Sequence, residues 1–324
     1  MNKYLRKAAK LCLSPVYLLN SCVKRTNWYK NVIPEINNYP TNEWYRTHNE
    51  RNFDVVNVGS SSGVHAFDYS ETGLKAFNWA LQPQSMEYSF KILKNYFSVL
   101  KKNGIVIIPF SPFSSLSVIG KWSESSDDKY YYILDRSLID NYSRVSRRRR
   151  FPLLVQPKQS LKYLFKDVLP KNKVRSYKVC TTSSEFQNDA IKWIENWMKE
   201  FNIQNLEAPL SEENKKGTEL RKKTVQEMIT FCLERNLYPV LVIPPIHPSL
   251  ANRLTPVFRK TYIYSFIEMI NTAKVPFFDY IDTPNIREDC YFSNSYFMSE
   301  EGAKKFTRIL LKQIYANHIS CCNQ

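Results

Sequence analysis

The stretch FDVVNVGSSSG, residues 53–63, decides the fold. An apolar run ends at a glycine, three serines follow, and a second glycine precedes VHAF. A short apolar run bounded by turn residues reads as a buried strand, and serines ahead of a new periodic segment read as the start of a helix. Strand, tight turn and helix form the first half of a βα unit. The chain holds only 7 glycines in 324 residues, so the pairing of Gly59 and Gly63 in one turn marks demanding backbone.

Working outward, the alternation continues. FNWAL (77–81) reads as a short second strand. SMEYSFKILKNYFSVLKK (85–102) reads as an amphipathic helix with Tyr88, Ile92, Leu93, Tyr96 and Phe97 inward, closed by Gly104, and IVIIPF (105–110) as a third strand. The pattern breaks near residue 112 and resumes near 190. There follow helices on DAIKWIENWMKEF (189–201) and TELRKKTVQEMITFCLERN (218–236), the strand PVLVIPP (239–245), a helix near 252–273, the strand VPFFDY (275–280) and a last helix on GAKKFTRILLKQIYANH (302–318). Strands alternating with helices imply an α/β domain with a mainly parallel sheet. The organisation expected is an N-terminal basic segment (1–50), an α/β domain (51–318) with an insertion at about 112–190, and a short tail (319–324).

Composition excludes disorder, because 43% of residues are hydrophobic and 14% aromatic. Seven cysteines, odd in number and without a CxxC pair, fit neither a disulfide framework nor a zinc site, and no cofactor or metal is expected. The net charge of +16 is local: residues 1–30 carry seven basic residues and no acid, and residues 141–180 carry twelve against Asp167 alone. Arg147, Arg148, Arg149 and Arg150 form the densest cluster and the candidate anion-binding group. Such concentration suits a phospholipid surface, an anionic glycan, a phosphorylated donor or nucleic acid, or else a solvated basic face.

LCLSPVYLLNSCV, residues 11–23, is too short to span a membrane and is interrupted by Pro15. It reads as a packed or membrane-peripheral helix, with a weak secretory signal or a lipoprotein-like site at Cys22 as alternatives. The expected location is cytoplasmic or membrane-peripheral.

In a parallel sheet, ligands bind beyond the carboxyl ends of the strands. That edge collects the GSSSG turn, the loop after FNWAL, Ser111 and Ser114, His247 and the segment after FFDY. A serine in the first turn could be a nucleophile beside helix N-terminal amides, the amides could cradle phosphate, or the serines could simply cap the helix. Neither GxxxxGK[ST] nor GxGxxG is present.

The strand followed by GSS, the strand-ending VIPP and the closing segment before a GA-containing last helix resemble, in that order, the SGNH (GDSL-like) hydrolase superfamily. The likeness is to its divergent bacterial branch of cell-envelope and polysaccharide esterases and acyltransferases. It spans residues 53–315 apart from the insertion. It implies a flavodoxin-like three-layer α/β/α sandwich, with Gly59, Ser60 and Ser61 at the nucleophile block and Ser61 as the nucleophile. It also implies an oxyanion or substrate contact from Gly73 or the backbone near Asn78, beside Gly59 and Ser111. The closing block departs from the family: Asn294 stands at the Asp position and Phe297 at the His position, and phenylalanine takes no proton.

Four histidines occur, and two are set aside as a replacement base by position, His48 before the first strand and His318 in the tail, which leaves His65 and His247. His247 follows the carboxyl end of a strand and is the candidate surrogate, oriented by Asp279 or Asp289. His65 lies one turn beyond Ser61, where a packing or capping role is expected. Three functions follow: a serine esterase or O-acyltransferase acting through Ser61 on an acylated glycan or membrane-associated acyl carrier; a degenerate relative that binds an acyl-glycan or assists a partner enzyme; and, ranked last, a polyanion or nucleic-acid binder with an unspecific basic surface. The partners expected are an acylated glycan or acyl carrier and an anionic membrane surface, with nucleic acid disfavoured.

Overall fold

The structure, a computed structural model, describes residues 15–30, 44–48, 50–118, 124–166 and 179–322. Residues 1–14, with the basic start of the chain, lie outside them. The chain forms two compact units, one from 1–49 with 123–176, the other from 50–122 with 177–324. The N-terminal segment and the middle of the expected insertion therefore belong to one unit, and the excursion from the α/β unit is narrower than 112–190.

The larger unit is an α/β sandwich on five parallel strands: β1 (Phe53–Asn57), β2 (Ala76–Asn78), β3 (Leu100–Pro109), β4 (Tyr238–Ile243) and β5 (Phe277–Asp279). Their order is β2-β1-β3-β4-β5, the flavodoxin-like order. Its helices are numbered α1 (Ser61–Ala66), α2 (Met86–Tyr96), α3 (Ser183–Phe201), α4 (Glu212–Glu234), α5 (Pro248–Ala251), α6 (Ser265–Ile270) and α7 (Glu300–Cys322).

Side chains alternate across the sheet. Val55, Ile105, Ile107, Val240 and Val242 share one core with Phe306, Leu310 and Ile314 of α7. The intervening Val56, Val106, Ile108 and Leu241 point to the opposite face and are equally buried. Apolar residues at consecutive strand positions are what a doubly covered parallel sheet demands.

Two sequence expectations shift. Gly104 does not close α2; that helix ends at Tyr96, a single 3-10 turn follows at Phe97–Val99, and β3 begins at Leu100, so Gly104 lies within the strand. The exposed Lys101–Asn103 is the solvent-facing start of β3, where Asn103 takes φ 60° and donates its N–H to Asn236 O. The tail expected from 319 continues α7 as far as Cys322.

In the smaller unit, residues 15–25 are helical. Asn20, buried on that helix, donates to Arg150 O at 3.0 Å and accepts from Leu153 N–H at 3.2 Å. Trp28 stacks on Tyr163 with ring centroids 5.3 Å apart. The N-terminal helix is thus packed on its own unit, as one of the sequence readings has it.

Candidate functional site

β1 and β3 leave the sheet on either side of the point where strand order reverses, and this is where an open parallel sheet leaves a crevice. Gly59 follows β1 with φ +124°, and a Cβ there would lie 2.8 Å from Pro109 Cγ at the end of β3. Only glycine allows both that backbone and that approach. The Gly59 carbonyl accepts from Leu81 N–H and from Gln84 Nε2, which ties the loop after β2 onto the serine turn.

Beneath α1 lies a buried amide pair. Asn57 Nδ2 donates to Asn78 Oδ1 at 2.8 Å, and Asn57 Oδ1 accepts from the Tyr69 hydroxyl. Asn78 Nδ2 in turn donates to Gly63 O at 2.9 Å and reaches Phe67 O at 3.3 Å. These carbonyls are among those that a helix end leaves without an internal partner. Asn78 therefore fastens the helix that carries the serines. The backbone N–H groups that follow it, the expected oxyanion contact, are engaged within the fold: Trp79 donates to Asn57 O, Ala80 to Asn78 Oδ1 and Leu81 to Gly59 O. Gly73 is also misplaced by expectation: it is an exposed turn residue ahead of β2, and in a parallel sheet that is the end opposite Ser61.

The three serines have different surroundings. Ser60 Oγ accepts from Gln84 N–H at 3.1 Å. Ser61 starts α1 half-buried, and its hydroxyl makes no hydrogen bond among the described residues. Ser62 lines a narrow cleft together with His65, Ser111, Pro245, Tyr296 and Met298. The cleft is small, with a cavity volume of about 10 Å³, room for about one water.

Tyr296 is the principal polar group there. Burial pushes its phenol up to about 12, and the side chains of Ser111 and Ser62 partly oppose that rise. At neutral pH it is a protonated donor rather than a base. Ser111, as expected, faces the cleft; its N–H donates to Ser114 Oγ at 2.7 Å.

Phe297, at the position where the resemblance calls for a base, is buried with its ring centroid 4.2 Å from that of His65 and 5.4 Å from Trp193. His65 Nε2 lies 3.2 Å from Gln82 Oε1, and burial lowers its pKa against the opposing effect of that bond. Asn294 accepts from the N–H groups of Tyr296 and Phe297 at 2.9 and 2.8 Å. It closes a short turn on itself, so its side chain is held by local backbone.

His247 does not reach the serines as a surrogate base. Its Nδ1 accepts from Ser249 N–H at 3.1 Å and caps α5, which leaves the proton on Nε2 to donate to Asp289 Oδ1 at 3.0 Å. The ring stacks on Phe186 at 4.0 Å, and burial lowers its pKa more than Asp289 raises it. Asp279 accepts instead from the Tyr264 hydroxyl at 2.8 Å.

Half of the arginine run folds inward in its own unit. On the helix Tyr142–Arg150, Arg148 and Arg149 are buried while Arg147 and Arg150 are exposed. Arg148 pairs with buried Asp128 at 2.7 Å. The Arg149 guanidinium lies over the Tyr29 ring at 3.7 Å and donates to the Tyr132 hydroxyl at 2.8 Å. These two guanidiniums hold the unit together and are not presented to an anion, which corrects the sequence expectation.

No family model and no curated protein matches this chain. Among the described residues no group of three or more His, Cys, Asp or Glu side chains could hold a metal ion.

Sequence reasoning placed the GSSSG turn and the loop after FNWAL at this edge, but it gave no role there to Ser62, Gln84 or Tyr296 and expected His65 only to pack or cap. One signal was present: Ser62 and His65 are three residues apart on a helix and so share a face.

Proposed function

We propose that this chain is a catalytically degenerate SGNH-like protein that binds the acyl group of an acylated glycan or acyl carrier without cleaving it. The observation that carries this reading is the set of partners around the serine turn. Ser60 accepts a backbone N–H, the Ser61 hydroxyl has no hydrogen bond among the described residues, and Ser62 faces a protonated phenol. A serine without an adjacent base is a weak nucleophile.

The lining supports the ligand class. The cleft carries hydroxyls, prolines, Phe110, Ile246 and Met298, with His65 held toward its neutral form and no Asp, Glu, Lys or Arg. An uncharged ester group fits such walls, whereas a phosphate would lose its hydration without a counter-charge. An occupant larger than one water has to displace some of the side chains that line the cleft.

Trp193 lies 4.9 Å from Tyr296, so its fluorescence reports on the cleft. An O-acetylated oligosaccharide is expected to change that fluorescence saturably, and the same oligosaccharide after saponification is not. Equal responses to both would remove the acyl-group reading.

One observation favours the active alternative. His65 tends to the neutral form, follows Ser61 by four residues and Ser62 by three, and lines the cleft. On that reading His65 deprotonates a serine after rotating away from Gln82. Acetyl-ester turnover abolished by both His65→Gln and a serine substitution would establish it.

A further inference from the structure

The smaller unit carries an exposed face that the site chemistry leaves unexplained. Residues 15–30 and 142–166 together hold eleven basic residues and no acid. With Arg148 and Arg149 turned inward, the rest lie outside the unit's core, and the same unit exposes large apolar side chains. Leu18 is 70% exposed, Leu154 64% and Phe165 71%. Single exposed leucines are ordinary, but apolar side chains aligned on one helix face mark an interaction surface.

The helix Pro157–Lys166 shows how the two chemistries are arranged. Ser160 is fully buried and Tyr163 turns to Trp28, so this side faces the unit. Leu161 and Phe165, four residues apart, form an exposed apolar row. Lys158, Lys162 and Lys166, also at spacings of four, form an exposed row directly beside it. The exposed Leu154 and Val155 lie in the turn that leads into this helix.

We infer that this face docks on an anionic phospholipid bilayer, with Phe165 and Leu161 entering the acyl boundary and the lysines meeting the headgroups. Apolar and cationic rows side by side are what a membrane interface selects. A nucleic acid or an acidic glycan would use the cations and leave Leu154, Leu161 and Phe165 in water. No described helix is long and apolar enough to cross a membrane, so attachment through this face is peripheral. The inference is independent of the chemistry at the serine turn.

The test is co-sedimentation of the full chain with phosphatidylserine-containing vesicles and with pure phosphatidylcholine vesicles. Binding is expected to the first, to fall with added salt, and to be at least about tenfold weaker to the second. Lys158→Ala/Lys162→Ala/Lys166→Ala and, separately, Leu161→Ser/Phe165→Ser are each expected to weaken it at least about tenfold. Lys192→Ala/Lys260→Ala, at exposed lysines of the other unit, is expected to leave it unchanged. The changed positions are exposed, and an unaltered melting curve establishes that each variant is folded. Equal binding to both vesicle types would overturn the inference. So would unaltered vesicle binding by the Leu161/Phe165 variant, including a case in which that variant dissolves a dimer and a second copy is therefore what covers the face.

Discussion

The rings of His65 and Phe297 lie 4.2 Å apart, centroid to centroid, and join the helix that follows β1 to the turn that precedes α7. The position where the resemblance asks for a proton acceptor is thus filled by a hydrocarbon ring, packed on a histidine supplied by another element. His65→Ala is expected to destabilise the unit by about 1–3 kcal/mol through the lost contact and the Gln82 bond. Chemical denaturation measures it, with His65→Gln expected to lose less than His65→Ala.

Burial holds both His65 and His247 below the ordinary histidine range. The unfolded chain therefore binds more protons than the folded one near pH 6, so stability rises with pH there. Their full contribution is present above the unfolded value of about 6.5 and is lost as pH falls through the lower folded values. The denaturation midpoint is expected to drop between about pH 7 and about pH 5, and His65→Leu to flatten part of that slope.

Asn294 is held by two backbone N–H groups. Removing the acceptor in Asn294→Ala leaves buried donors unpaired and is expected to cost about 1–3 kcal/mol. Asn294→Asp keeps an acceptor at the same place and is expected to lose less. Denaturant titration of both variants separates this turn-closing role from a role in chemistry.

Arg148 and Asp128 are buried together, and burial raises the Asp128 pKa more than the guanidinium lowers it. Arg148→Ala leaves the carboxyl without its cation and is expected to cost about 3–5 kcal/mol near neutral pH, less in acid, where Asp128 takes up a proton. The Arg148→Met/Asp128→Leu double variant is expected to recover most of that loss in a thermal melt.

The strands and their covering helices were legible because a parallel sheet writes its burial as unbroken apolar runs, as in FDVV and PVLVI. The serine turn was legible as a βα junction through Gly59. The details that decide chemistry were not. The Arg147–Arg150 run reads as a surface charge cluster, yet successive helix positions differ by about 100°, so four consecutive arginines spread round the helix and two of them, Arg148 and Arg149, turn inward. His247 stands at the correct sheet edge in the sequence, but the direction of its nitrogens is set by Ser249 and by Asp289, 42 residues away. Gly104 looked like a helix end because a glycine after lysines resembles one, and the pairing of β1 with Leu100 at the start of β3 prevailed. At Phe297 the consequence of the resemblance is readable from the sequence alone, since a phenylalanine at a position where the family carries a base needs no geometry to be read.

The proposed binding role requires a serine turn without an activating base, and reaction of the native protein with a fluorophosphonate probe addresses that directly. After prolonged incubation at neutral pH, intact-mass and peptide mass spectrometry are expected to find Ser60, Ser61 and Ser62 unmodified, with acetyl-ester turnover indistinguishable from that of Ser61→Ala. Near-stoichiometric labelling of Ser61 or Ser62, abolished by substitution of that serine, would contradict the account.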